Sequence, residues 1–252
     1  SKLMQIFPDA DIFTLLYDEE KVWDEFPKEK IHPSVFKLRS QKIYKLLKKQ
    51  RLCLLFMSHS VEQLNFSEYD LVIASSSAFS HGAITKPETR FLVYSHSPAR
   101  YLWDWTHEYK KDIGWNKGIK WFILNKIFLK MRMWDYIASS RADMILSNSK
   151  NTQNRIQKYH KKPSHILYPP IETMRFSKSL ELTDILLEKT GLEKWKYYII
   201  ISALTEFKKI DIAVKAFKEI LDTTLVIIWQ WEYLSELQKL SGKNTMFVGP
   251  KY

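Results

Sequence analysis

Cysteine occurs once in this chain of 252 residues, at Cys53. An intramolecular disulfide is impossible, a cysteine-rich metal site is excluded, and a lone thiol fits a reducing compartment. Glycine is also scarce, at 6 residues, which leaves few positions for the tight turns that cradle phosphates. Acidic residues are outnumbered, 28 against 39 Lys and Arg, so the formal net charge is +11. That balance favours an anionic partner: nucleic acid, a phospholipid surface or a phosphorylated substrate. The seven histidines show no HExxH pattern and no other metal-ligand spacing, so no metal site is expected. No run approaches the roughly 18 to 20 apolar residues of a membrane span, and Ser1-Lys2-Leu3-Met4 opens no apolar leader. The expectation is a cytoplasmic protein, with peripheral attachment to the inner face of the cell membrane left open.

What is abundant is apolar mass. Hydrophobic residues make up 45% and aromatics 14%, enough for the core of one large domain or two small ones. Asp11 to Tyr17 has few polar interruptions and reads as a buried strand. Residues 18–33, charged and holding Pro27 and Pro33, read as a loop. Ser34 is placed to cap a helix over 35–51 with Phe36, Ile43, Leu46 and Leu47 near helical spacing, and a second apolar helix is expected over 52–58. Strands are predicted at 69–74, 91–94, 142–147 and 165–168, with a capped helix ending at Tyr159. Pro169-Pro170 ends the last of these and is the best candidate boundary, giving domains 1–169 and 170–252.

Beyond it a helix is expected around 182–190, then strands at 197–202, 224–228 and 245–248 alternating with helices at 209–221 and 232–240. In the 209–221 helix Ile212, Ala213, Ala216, Phe217 and Ile220 are expected to face inward. Strand–helix alternation of this kind makes half a parallel sheet, so the class is α/β.

The long helix predicted over 117–138 repays a wheel. Ile123, Leu124, Ile127, Phe128, Met131 and Trp134 share the expected core side, and Phe122, Lys126, Leu129, Lys130 and Met133 lie opposite. Large apolar groups mixed with lysines suit an anionic lipid surface, or else burial of both faces.

The densest polar stretch is Tyr94-Ser95-His96-Ser97-Pro98-Ala99-Arg100-Tyr101-Leu102-Trp103-Asp104, directly after an apolar run. A strand end that releases such side chains into a turn is where open α/β sheets place ligands. The competing reading is a loop that packs on the core.

That stretch belongs to a series of blocks. Phe7-Pro8-Asp9-Ala10-Asp11-Ile12-Phe13-Thr14, Tyr69 to Ile73 with Ser75-Ser76-Ser77-Ala78-Phe79, and Ser95 to Asp104 come first. Ser147-Asn148-Ser149, Tyr168-Pro169-Pro170-Ile171, and Ser202-Ala203-Leu204 with Lys208 to Val214 follow. Together, in order and over nearly the whole chain, they resemble the family-4 glycosyltransferases of the GT-B fold, in particular mannosyltransferase-like enzymes of bacterial surface polysaccharide assembly.

The resemblance implies two Rossmann-like domains and a retaining, metal-independent transfer of a hexose, with no cofactor. The implied donor is a nucleotide sugar, GDP-mannose for a mannosyltransferase, and the implied acceptor a lipid-linked saccharide. His96 matches the family histidine beside the donor sugar, where an imidazole can donate or accept near an oxocarbenium-like centre. Lys208 matches the lysine that meets the donor diphosphate, with Ser202 at the preceding strand end and Gly82 in a loop the family brings close to the donor. Arg100, Tyr101 and Trp103 fall on the acceptor side, the aromatics as stacking platforms and the arginine for an acceptor phosphate. Packing, or for Lys208 simple solvation, is the alternative at each position.

The chain departs from the family pattern in places. The family's first strand would precede Ser1, and its paired glutamates would follow Tyr252, so the chain reads as truncated at both ends. Ala203 stands where many members carry arginine, and Trp229-Gln230-Trp231-Glu232 replaces a Gly-acid-Gly turn. A catalytically inactive fragment, acting as a membrane- or partner-binding remnant, is the alternative function. Nucleic-acid binding rests on charge and aromatics with no recognised motif, and no nucleic-acid partner is expected.

Overall fold

The computed structural model describes residues 2–15, 17, 26–34, 54–112, 114–115, 117–174, 187, 190–205, 208–230 and 234–249. The helix expected over 35–51 lies outside the described residues, and so does the one around 182–190 apart from Leu187 and Thr190. The chain divides into two compact units, Ser1–Pro170 and Ile171–Tyr252, with the double proline at the division.

The first unit opens with helix α1 (Lys2–Ile6) and strand β1 (Ile12–Thr14). Residues 18–33 are not all loop: Ile31–Pro33 forms a strand, β2, parallel to β1 in the register Ile12↔Ile31 to Thr14↔Pro33. Pro33 obscured it in the sequence, yet a proline is tolerated at a strand's end, where its missing N–H breaks no ladder. Helix α2 (Leu54–Glu62) and strands β3 (Leu71–Ser76) and β4 (Arg90–Ser95) follow, with a short helical turn, Ser80–Gly82, between the strands. Then come α3 (Thr106–Asp112), α4 (Gly118–Ser139), β5 (Met144–Ser147), α5 (Lys150–Tyr159) and β6 (His165–Ile166).

Strands β3 to β6 make one parallel sheet in sequence order. Register decides what this sheet can do. Ser76 pairs Ser95, Ser95 pairs Ser147, and Ser147 pairs Ile166, so the carboxyl ends of four strands finish level. The apolar side chains Phe91, Val93 and Ile145 are buried on the strands themselves and join Val61, Phe66, Ala74, Ala142 and Ile156 in one core.

The two-stranded sheet is tied to this unit through Tyr69, whose hydroxyl donates to Asp11 Oδ2 at 2.7 Å, and through the edge contact of Phe13 on Phe66. The bond to Asp11, with burial, pushes the Tyr69 hydroxyl up to about 12. Among the described residues β1 and β3 each lack a strand partner on one edge. Residues of both line a cavity of about 1060 Å3.

Helix α4 buries Leu124, Phe128 and Met131 against Ala99 and Leu102. Trp134 packs beside the turn and donates Nε1–H to Glu62 Oε1 at 2.8 Å. Arg141 bonds the same oxygen and the Gly82 carbonyl, each at 2.6 Å.

The second unit contains β7 (Tyr197–Ala203), α6 (Ile210–Phe217), β8 (Thr224–Gln230), α7 (Leu234–Leu240) and β9 (Thr245–Val248). Its sheet is parallel, order β7-β8-β9, and buries Leu225 and Ile227 of β8 with Leu204, Ile210, Val214, Phe217 and Leu237. The inward face of α6 differs from expectation. Ile210, Val214 and Phe217, at i, i+4 and i+7, face the sheet, while Ile212, Ala216 and Ile220 are exposed. At 100° per residue Ile212 lies opposite Ile210, Val214 and Phe217, and packing against the sheet buries the latter side.

Gly82 sits inside the first unit's packing. A Cβ there would lie 2.3 Å from the Trp134 ring and 3.2 Å from Val61. Gly82→Ala is expected to cost about 1–3 kcal/mol by overpacking, seen as a lower urea midpoint with an unchanged m value.

Candidate functional site

The level carboxyl edge of the first unit carries His96. Its backbone is held on both sides, since its N–H donates to the Ser76 carbonyl at 2.8 Å and its carbonyl accepts Thr152 Oγ1 at 3.1 Å. Thr152 is itself fixed by the start of α5, where Ser149 Oγ accepts its N–H at 3.2 Å as an N-cap. The imidazole is exposed, with Nε2 2.9 Å from Ser75 Oγ and the ring set nearly perpendicular to that of Tyr94. Tyr94 in turn donates its hydroxyl to the Leu167 carbonyl at 3.0 Å. A clamped backbone with an open ring suits proton exchange with a group bound outside the strand ends.

The residues after His96 separate. Arg100 is exposed, 3.8 Å from Asp104 and 5.8 Å from the Trp105 ring centre. Asp104 also takes Arg155 Nη2 at 2.7 Å, and Arg155 Nη1 reaches Ser97 Oγ at 3.4 Å. This pins the loop to α5. Tyr101 and Trp103 turn toward the core instead. Tyr101 packs on Phe128 and Tyr109 with its hydroxyl buried, and burial first, then Asp135, pushes that hydroxyl well above the usual phenol range. Trp103 stacks on Tyr159 at 5.0 Å and spends its N–H on Asp135 at 2.8 Å. Both rings take packing positions in this structure. Gly82 lies in the turn already described, its carbonyl bonded to Arg141.

Asp135 is the residue that sequence reasoning passed over. It is fully buried, and its Oδ2 accepts from Trp103 Nε1 and His160 Nε2, both at 2.8 Å. Its Oδ1 faces His81 Nε2 at 3.3 Å. An ionised carboxylate only accepts, so Trp103 Nε1 and His160 Nε2 are the donors to Oδ2, while Oδ1 and His81 Nε2 do not meet in hydrogen-bond geometry. On its other side His81 Nδ1 lies 3.1 Å from Ser76 Oγ. Burial pushes the Asp135 carboxyl up, but the contacts with His160 and His81 outweigh it and hold the group well below the usual range. The signal was present in the sequence: Asp135 is the only acid in α4 and falls on its apolar stripe with Leu124, Phe128 and Met131.

In the second unit, Ser202 is the penultimate residue of β7 and its Oγ donates to the Ala203 carbonyl at 3.2 Å. Lys208 is exposed just before α6, its N–H bonded to the Thr205 carbonyl at 3.0 Å. The neighbouring Lys209 holds a left-handed backbone, φ 54°, as the helix N-cap. The structure thus gathers Ser202 and Lys208 at one strand-to-helix passage, and His96 and Arg100 at another in the first unit. Trp231 lies outside the described residues, and of Trp229 only the strand backbone is described.

Among the described residues no group of His, Cys, Asp and Glu could hold a metal ion. No described helix is long and apolar enough to cross a membrane. The class defined by these observations is an α/β protein with parallel sheets compatible with a Rossmann-like fold. In comparisons with known proteins, no family model matches the chain and no curated protein matches it.

Asp135→Asn removes the charge that two histidines and an indole are built around, and is expected to destabilise the protein by about 3–5 kcal/mol. The folded carboxyl lies below its unfolded value of 3.8, so the contribution is full above that pH and fades as pH falls through the folded value. Urea melts of both forms are expected to differ most near neutrality and to converge in acid.

Proposed function

We propose that the chain is a hexosyltransferase, or a portion of one, of the GT-B type, moving a hexose from a nucleotide sugar to a lipid-linked saccharide in cell-surface polysaccharide synthesis. The observation that carries this reading is His96, its ring open and its backbone clamped at the level carboxyl edge of a parallel sheet. The ordered blocks from Phe7 to Val214 supply the substrate class, with GDP-mannose as the donor of choice.

In this reading the bond that breaks joins the sugar to the diphosphate, and charge builds on the departing phosphate oxygens. Lys208, ahead of a helix start, supplies a cation for that charge, and Ser202 lines the same passage. The acceptor hydroxyl oxygen forms the new bond to the sugar carbon and its proton passes to the departing phosphate, while His96 offers a hydrogen bond on the sugar side and Arg100 its guanidinium to an acceptor phosphate. Tyr101 and Trp103 hold the loop that presents Arg100.

A second reading, a catalytically inactive remnant that binds a membrane or a partner, is favoured by Trp229-Gln230-Trp231-Glu232 in place of a glycine-rich turn. Release of GDP from GDP-mannose with a lipid-linked acceptor separates the two. His96→Ala is expected to lower that release by about 100-fold or more, while, as an exposed residue, it changes stability by less than about 0.5 kcal/mol. Absence of turnover with every nucleotide sugar tried would discard the transfer reading.

A further inference from the structure

Helix α4 presents to solvent a face that ordinary surface helices do not have. Ile119 is 77% exposed, Phe122 51%, Leu129 55%, Met133 58% and Ile137 56%. At 100° per residue these five lie within one half of the helix circumference, opposite Leu124, Phe128, Met131 and Asp135. Lys126 and Lys130 share the exposed face, and Lys120 is exposed nearer the buried stripe in the helix's first turn. Lys126 lays its ammonium over the Phe122 ring at 4.6 Å, the stem covering apolar surface while the charge stays outward. The one acid of the helix, Asp135, is fully buried, so every charge α4 shows to solvent is positive.

We infer that this face docks on an anionic lipid bilayer, with α4 lying in the headgroup plane. The helix has 22 residues and so offers a contact about 33 Å long. Its apolar side chains reach below the headgroups while the lysines meet lipid phosphates. The lysines also argue against other occupants. A protein partner's interface core is depleted in lysine. A second copy packed about a two-fold axis would bring two lysine-bearing faces together, like charge toward like charge. Helix α4 rests on the bilayer, since its lysines and its buried acid bar it from crossing. The surface would bring the transfer site to a lipid-linked acceptor and in that sense extends the proposed function, but its observations belong to the helix alone.

Flotation of the whole chain with vesicles tests it. Vesicles of equal parts phosphatidylglycerol and phosphatidylcholine are expected to retain the protein at low salt. Phosphatidylcholine alone should not, and salt near 1 M, where the Debye length is about 3 Å, should release it. Two variants separate the contributions: Lys120→Gln/Lys126→Gln/Lys130→Gln, and Phe122→Ser/Leu129→Ser/Met133→Ser. Each lysine near such a surface is worth about fivefold in partitioning, so the first variant should lose well over tenfold. The second should lose at least about tenfold, and circular dichroism should match the parent for both. No retention of the parent on anionic vesicles, retention by both variants equal to the parent, or a dimer in sedimentation that the serine variant abolishes would each overturn the inference. GDP release with a detergent-solubilised acceptor, in the same variants, is expected to stay within twofold of the parent. Vesicle binding without any turnover would discard the transfer reading and leave this inference standing.

Discussion

A single buried carboxylate organises the first unit. Asp135 draws together the turn after β3 through His81, the loop after β4 through Trp103, and the end of α5 through His160. An ionised group in an apolar interior is costly unless it is compensated; here Trp103 and His160 donate to Oδ2, and His81 stands 3.3 Å from Oδ1. The hub fixes where α4 lies against the loop, and hence which side of α4 is left to solvent. It also holds the loop whose first residue is His96.

Function in the proposed sense grows from the same arrangement. The parallel register brings Ser76, Ser95 and Ser147 level, so the chain leaves the sheet at one edge and His96 stands there with Ser75 and Tyr94 about its ring. Asp104 and Arg155 fasten the rest of the loop to α5. Rigidity of this kind is what a positioned hydrogen-bond donor needs, because small displacements at a reacting centre are expensive. The tryptophan of the motif contributes from beneath, by giving its N–H to Asp135.

Several elements were readable from residue order. Apolar runs closed by serines marked β3, β4 and β5, and Asn148-Ser149 marked the start of α5, where the structure makes Ser149 the cap. The wheel of α4 separated Leu124, Phe128 and Met131 from Phe122, Leu129 and Met133, but it placed Ile123 on the core side, where the structure leaves that residue 48% exposed. Other features were not readable. Strand β2 ends in a proline and is only three residues long, too short for a periodic signal. The stripe of α6 depended on how the helix is rotated about its axis against the sheet, which buries Ile210, Val214 and Phe217 and leaves Ile212, on the opposite side, to solvent. Tyr101 and Trp103 looked like ligand platforms because aromatics serve both ligands and cores, and composition does not tell the two apart.

By itself the sequence determined the alternation of strands and helices, the placing of His96 after a strand, and the basic, apolar character of one helix face. Those are local properties, set by side-chain type at a fixed spacing. Tertiary structure alone decided which polar atoms meet. Trp103 and His160 reach Asp135 from 32 and 25 residues away, so their contact depends on how strands and helices pack. The level row of serines depends likewise on the register between strands, which no single segment encodes.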